Sequence, residues 1–325
     1  MTLVRRNFLR LAGAALATSV YSSITFAQTY PTRPLRLLVG NAAGGGTDIL
    51  ARLLSPWLSE RLGQPVIIEN RPGAGGNVAT GAVVNAAADG HTLLLVTSAH
   101  AVNEVLYERL SYNFIRDIAP VASISRDPLF MLVHPSFPAR TVPEFIAYAK
   151  ANPSNVSMAS PGSGTGPHVA GELFKMMAGV NMVHVPYRSG APALTDLIGG
   201  QVQTYFGALP ISIGHIRAGR LRPLATTGAT RSDVLPEIPA ISESVPGYEA
   251  STWFGVGVPR NTSPEIVARL NREINAGLAD PKMRARLADL GSSAFVGSPS
   301  DFAKFIAEET EKWTKVVKFA GIKAE

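Results

Sequence analysis

Apolar positions along the chain fall into short runs, each followed by a glycine-rich loop and then a one-faced helical pattern. Leu35-Arg36-Leu37-Leu38-Val39 predicts a strand, with Gly44-Gly45-Gly46 close behind it. From Asp48 to Leu62, apolar residues at 49, 50, 53, 54, 57, 58 and 62 keep the 3.6-residue period of an amphipathic helix, closed by Gly63. Val66-Ile67-Ile68 predicts a second strand, Arg71 to Gly76 a second glycine loop, and Asn77 to Ala88 a second helix. Asp89-Gly90 then turns the chain into Leu93 to Val96. Strands this uniformly apolar are covered on both faces, which predicts parallel α/β architecture.

The scheme repeats through the middle of the chain. Leu129 to Val133, Val156 to Ala159, Val183 to Val185, Val202 to Phe206 and Pro223 to Thr226 are candidate strands among helical stretches. The end is mostly helical. Ser263-Pro264-Glu265 is a cap with proline in the first turn, and Ile266, Leu270, Ile274 and Leu278 line one face. Asp280-Pro281 opens another helix that ends at Gly291. A last helix from about Ser300 turns Phe302, Ile306, Trp313 and Val317 inward. Ser125 to Pro128 and Ala250 to Trp253 look like crossings between two lobes, the first formed by 28–126 plus 251–325 and the second by 127–250. Such a division predicts a ligand cleft between the lobes.

Composition narrows the functional classes. The 325 residues suffice for one large or two ordinary domains, and 46% hydrophobic against 17% charged residues excludes a disordered chain. The absence of cysteine excludes disulfides, thiolate metal sites and a cysteine nucleophile. The formal charge of +6 includes Arg5, Arg6 and Arg10 at the N-terminus; without them 27 basic less 24 acidic residues leave +3, with no basic run to track nucleic-acid phosphates. Those arginines open an export signal. A charged start, an apolar stretch from Leu11 to Ala17 and Thr25-Phe26-Ala27 give the three parts of a secretory leader over 1–27, cut after Ala27. Arg5-Arg6-Asn7-Phe8-Leu9-Arg10 is similar to a twin-arginine signal, with Sec export left open. The mature protein is therefore expected in the periplasm.

Candidate chemistry lies in two loops at helix starts. In Ala43-Gly44-Gly45-Gly46-Thr47-Asp48 the glycines let a ligand approach the backbone, and the following helix directs its N–H groups and positive dipole end at the same spot. That arrangement suits a carboxylate. It lacks the spacing of a dinucleotide fingerprint and the lysine of a P-loop. Ser160-Pro161-Gly162-Ser163-Gly164-Thr165-Gly166-Pro167-His168 repeats the arrangement in the other proposed lobe, so the two form a pincer for one end of an acid. Asp48 is either a helix cap or an acceptor for a donor on the ligand, and His168 is either a donor to a ligand oxygen or a capping histidine. The six histidines show no metal-binding spacing, Pro161 stands where a nucleophile elbow needs glycine, and no acid–base pair is evident. No metal, cofactor or enzymatic activity is expected.

Five blocks carry a family resemblance along essentially the whole mature chain: Gly44 to Arg52, Glu69 to Asn77, Pro186-Tyr187 with Ala191 to Leu197, Gly199-Gly200-Gln201-Val202, and Pro246-Gly247-Tyr248-Glu249. They resemble the Bug/TctC-type substrate-binding proteins of tripartite tricarboxylate transporters. The resemblance implies a two-lobed type II periplasmic-binding-protein fold, with mostly parallel sheets flanked by helices around a central cleft. It further implies a monomer that captures a carboxylate and delivers it to a large and a small membrane permease subunit. Gly45, Gly46, Thr47 and Asp48, together with Ser163, Gly164, Thr165 and His168, take the family's ligand-binding places, and Thr97-Ser98 faces the cleft. Two departures stand out. Asn41 occupies a place where many members carry an aromatic residue, and Gly207 one where many carry aspartate. Both predict a roomier, less acidic distal pocket that favours a larger or aromatic acid. A solute sensor for a membrane kinase and an enzyme on the same fold are the alternative readings.

Overall fold

The computed structural model describes residues 30–107 and 109–323; the expected export signal at 1–27 lies outside them. Ten strands form one curled sheet among the described residues. Strands β1 (Leu35–Val39), β2 (Val66–Asn70) and β3 (Thr92–Thr97) run parallel at one end. At the other end β5 (Ser157–Ser160), β6 (Val183–Pro186) and β7 (Thr204–Ala208) are again parallel. Two antiparallel strands join the ends, β4 (Ile118–Val133) and β9 (Ser251–Pro259). β8 (Arg222–Thr226) and the short β10 (Ser293–Ala294) also pair with β4.

The two stretches read as crossings between lobes are paired strand. Arg126 pairs with Trp253, Asp127 with Thr252 and Pro128 with Ser251. Leu129 to Val133 marked only the end of β4 in the sequence, since Ser125-Arg126-Asp127-Pro128 breaks its apolar pattern. Its first part pairs with β9 and β10, and from Leu129 onward it pairs with β7 and β8.

Helices cover the sheet. In chain order they are α1 (Gly46–Leu62), α2 (Asn77–Val84), α3 (Ser98–Leu106), α4 (Phe114–Asp117), α5 (Val142–Ala151), α6 (Gly166–Ala178), α7 (Gly190–Ile198), α8 (Leu209–Arg217), α9 (Pro264–Ala279), α10 (Pro281–Asp289) and α11 (Pro299–Ala320). α2 is shorter than its apolar pattern predicted, and α3 was missed. The α9 face works largely as read, with Leu270, Ile274 and Leu278 buried. On α1, Leu50, Leu54, Leu58 and Leu62 are buried, whereas Ile49 points to solvent.

One core runs through both ends of the sheet. It joins Leu38, Val96 and Leu106 to Phe145, Phe174 and Phe206 through Trp253 and Trp313. α11 ties the ends together, packing on α3, β4 and α6. Its inward residues Phe302, Ile306, Trp313 and Val317 are buried as the period predicted. Trp253 and Trp313 each donate an indole N–H to Glu309 Oε2 at 2.9 Å, so the buried carboxylate is satisfied from two elements.

Candidate functional site

Strand direction decides where a ligand can sit. Thr97, the last residue of β3, pairs with Phe254, which in turn pairs with Ser125 of β4. From the other end, Ala208, the last residue of β7, pairs with Leu129. The carboxyl ends of β1, β2 and β3 therefore face those of β5, β6 and β7 across residues 126–128 of β4. The four residue steps from Ser125 to Leu129 separate the two rows, about 13 Å along the strand. Crevices at the carboxyl ends of strands are the usual ligand sites of α/β sheets.

Each of these six strands leads into a helix: α1, α2, α3, α6, α7 and α8 start there. Six helix N-termini thus converge on one seam. Their unpaired N–H groups and positive dipole ends favour an anion without any basic side chain.

Two of these helix starts have nearly the same backbone. In the first, Gly44 takes a left-handed φ of +81° and the Gly45 N–H turns back to the Ala42 carbonyl at 3.5 Å. Gly45 caps α1 at φ −77° and ψ 165°, and the third helical residue, Asp48, accepts the Gly44 N–H on Oδ2 at 2.9 Å. In the second, Gly164 has φ +75° and the Thr165 N–H turns back to Gly162 at 3.4 Å. Thr165 caps α6 at φ −69° and ψ 157°, and the third helical residue, His168, accepts the Gly164 N–H on Nδ1 at 3.0 Å. Neither cap residue directs its side chain to the helix N–H groups; Thr165 Oγ1 instead donates to the Gly162 carbonyl at 2.7 Å. The N–H groups of Gly46, Thr47 and Asp48, and those of Gly166 and His168, therefore lack intrahelical acceptors.

The two clamping residues bond back to their own loops. Asp48 is only 2% exposed, and the cap of its helix is Gly45. Its Oδ2 takes Gly44 N–H and Arg52 Nε (2.8 Å), and its Oδ1 takes Asn70 Nδ2 (3.0 Å). Arg52 foremost, then the Gly44 N–H, hold its carboxyl down at about 2. His168 is 4% exposed. Beyond the bond from Gly164, its ring stacks on His184 at 3.6 Å between centroids, 6° from parallel, and its Nε2 lies 3.6 Å from Glu172 Oε1. Burial alone would raise the Glu172 carboxyl, but His168 and Lys175 outweigh it and leave it lowered.

The remaining predicted residues divide by exposure. Gly45 and Gly46 are exposed and Thr47 half-buried at the first loop, while Ser163 and Thr165 are half-buried at the second. Gly164 is buried, and a Cβ there would lie 2.6 Å from Leu106 Cδ2 of α3, so the second loop packs directly on the opposite end of the sheet. Thr97 and Ser98 are half-buried at the start of α3, where the Thr97 N–H donates to His100 Nδ1 at 2.9 Å. Burial pushes the His100 imidazole down to about 4, so it is neutral at physiological pH. Asn41 is exposed, and its carbonyl takes a bond from Asn70. Gly207 is closely packed. It is buried, and a Cβ there would lie 2.9 Å from each of Leu132, Ser212 and Tyr205, which fill the space a side chain would use.

Sequence reasoning missed the residues that support these loops. Arg52 and Asn70 hold Asp48. Asn103 donates to the Gly75 carbonyl at 2.9 Å and to Asn77 Oδ1 at 3.0 Å, and Tyr112 donates to the same oxygen at 2.8 Å, pinning the loop before α2. The four-residue step from Asp48 to Arg52 was the one visible signal. A cavity of about 390 Å3, lined by Arg126, Pro128, Arg231, Glu249, Ser251 and Phe295, borders the same stretch of β4 and contains none of the twelve predicted ligand residues. Among the described residues no cluster of His, Asp and Glu is arranged to hold a metal, and no helix is long and apolar enough to cross a membrane.

Comparison with known proteins gives a consistent picture. The family described as "Tripartite tricarboxylate transporter family receptor" matches residues 50–322. Protein BugT of Bordetella pertussis is 36% identical over 320 residues, covering 98% of both chains. An R. palustris protein solved with adipate superposes with a TM-score of 0.79 at 40% identity, covering 90% of this chain and 99% of its own. MatC from Rhodopseudomonas palustris, solved with bound malate, superposes with a TM-score of 0.75 at 32% identity, covering 89% of this chain and all of its own.

Proposed function

Because the chain belongs to the TctC family of tripartite tricarboxylate transporter receptors, we propose that it is an exported solute-binding protein that captures a carboxylate at the seam between its two sheet ends and hands it to a membrane permease. Proteins of this family bind solutes rather than transform them. The observation that carries the reading is that six helices, two of them opened by twin glycine loops, start at the facing carboxyl ends of the two strand sets. At the loops formed by Gly45 to Thr47 and Ser163 to Thr165, the free backbone N–H groups of Gly46, Thr47 and Asp48 and of Gly166 and His168 hold one carboxylate, and the Asp48 and His168 side chains shape those loops from behind. The two lobes are 28–126 plus 251–325 and 127–250, with β4 and β9 as the hinge, and residues 1–27 direct export to the periplasm. The permease, with its large and small subunits, is the partner of the closed form, and the binding protein acts as a monomer.

The ligand's body is apolar. Ile211, exposed in the first turn of α8, reaches within 3.1 Å of where a Cβ of Gly190 would stand at the start of α7. Ile49 and Val78 are exposed in the first turns of α1 and α2. We take these exposed apolar side chains in the first turns of three of the six helices to favour a hydrocarbon chain between two carboxylates over a hydroxylated one. The test is a thermal-shift screen of residues 28–325 with adipate, malate, benzoate, an amino acid and a sugar. Ligand at 100 times its dissociation constant adds about 2.7 kcal/mol, so a shift of several degrees with adipate, larger than with malate, is expected. A shift with the sugar alone, or none with any carboxylate, overturns the reading.

A further inference from the structure

We infer that His168 is a positioning residue that holds the second ligand loop through one tautomer, with Nδ1 bare as the acceptor for Gly164 and the proton on Nε2. Its importance for binding rests on the proposed function; its tautomer does not.

The argument begins with the twin loop. At the start of α1 the third helical residue pulls back the N–H of a left-handed glycine and so fixes the turn ahead of it. A carboxylate can do this in any rotamer because both its oxygens accept. An imidazole offers one acceptor only when neutral, and only at the nitrogen that lacks the proton. At the start of α6 that nitrogen is Nδ1, 3.0 Å from the Gly164 nitrogen.

The surroundings select this tautomer. On the other side of the ring, Nε2 faces Glu172, whose buried carboxylate lies 3.6 Å away and is itself held by Lys175 at 2.9 Å. A proton on Nε2 points at negative charge, whereas a proton on Nδ1 would meet the Gly164 N–H head-on and leave a bare nitrogen facing the carboxylate. The parallel His184 ring fixes the plane. His184 Nε2 is 2.6 Å from Ser160 Oγ, and that hydroxyl in turn takes the Gly162 N–H at 3.1 Å. Two stacked imidazoles thus sit under one loop, one acting at Gly164 directly and the other at Gly162 through Ser160. Packing alone would explain a buried ring here. It would not explain why a ring nitrogen meets the one left-handed N–H that matches Gly44 in the first loop.

Isosteres separate acceptor from bulk. Asparagine places a carbonyl oxygen where Nδ1 stands, and glutamine places its terminal amide where Nε2 stands. In the full chain, H168N is expected to bind adipate within about twofold of the wild type, and H168Q about tenfold more weakly, the scale of one lost hydrogen bond. Hydrogen exchange at residues 162–165 without ligand is expected to stay slow in H168N and to quicken in H168Q. Equal affinities and equal exchange in the two variants would reduce His168 to packing and overturn the inference. Nitrogen NMR of the wild-type ring needs neither ligand nor variant: a proton found on Nδ1 of His168 overturns it outright. If the wild type binds no carboxylate while ring and exchange data come out as expected, the positioning stands and the proposed ligand class falls.

Discussion

The loops that open α1 and α6 have almost one backbone and two chemistries. Both place a left-handed glycine before the cap, and both draw its N–H onto the third helical side chain, Asp48 in one and His168 in the other. What each clamp needs around it differs. The charged one is neutralised by Arg52 one helical turn on and steadied by Asn70 from β2. The neutral one is held in plane by a second histidine and faces an acid already paired with lysine. The shared requirement is an acceptor at one point in space, and residue type follows from what the neighbours can compensate.

The largest effect separates the loops by what lies beyond their glycines. A Cβ at Gly44 meets nothing within 4 Å, whereas one at Gly164 lies 2.6 Å from Leu106 Cδ2. G44A is therefore expected to cost only the left-handed backbone penalty, about 1–2 kcal/mol. G164A adds overpacking of a further 1–3 kcal/mol or so against α3. Urea midpoints measure both. L106A in the G164A background should recover part of the excess, and equal costs for the two glycines would mean that α3 gives way freely.

Charge is the second lever. D48N keeps an oxygen for the Gly44 N–H but leaves Arg52 without its counter-ion. The Asp48 carboxyl sits at about 2 in the fold against an ordinary 3.8, a difference that contributes on the order of 2 kcal/mol. A lowered carboxyl stabilises above its unfolded value and loses that contribution as pH falls through its folded one. The stability gap between wild type and D48N should thus be constant from pH 7 to 5, shrink below 4 and close near 2. A gap that persists at pH 2 would assign the effect to shape and not to charge.

Much of this molecule was legible in its sequence, and the failures share a cause. Strands β1 and β3 followed from unbroken apolar runs, because both their faces are buried, and the inward faces of α9 and α11 followed from apolar period, because each buries one face. Of β4 only Leu129 to Val133 was legible, since its middle carries Ser125-Arg126-Asp127-Pro128, polar residues that break the pattern. For the site, spacing located both glycine loops but not the direction of their third helical residues. Asp48 and His168 look like ligand groups in a sequence because their types are reactive, and only their partners reveal that they turn inward. Gly207 misled for the reverse reason: a missing side chain implies space, yet Leu132, Ser212 and Tyr205 occupy it.

Between two satisfied clamps, the seam itself holds an unsatisfied acid. Asp127 Oδ1 is buried without a hydrogen-bond partner, at the strand position that pairs with Thr252. Burial pushes its carboxyl up to about 7, with the nearby Ser292 and Ser125 hydroxyls opposing the shift only weakly. Arg126, its neighbour in sequence, is committed to Glu249 at 2.6 Å and to Ser251 at 3.0 Å. The sign is opposite to that of Asp48. A carboxyl raised in the fold ionises first in the unfolded chain, so stability falls as pH climbs from about 4 to 7 and stays low above. D127N removes the charge and keeps the shape, so it should stabilise the protein at pH 8 by on the order of 1–3 kcal/mol and change little at pH 4. Thermal midpoints across that range measure the difference. A stabilisation that did not depend on pH would mean that the orphaned oxygen, not its charge, is what the seam tolerates. A loss at pH 8 would mean that the ionised acid has a partner when the seam is occupied, and would move Asp127 from the hinge into the ligand site.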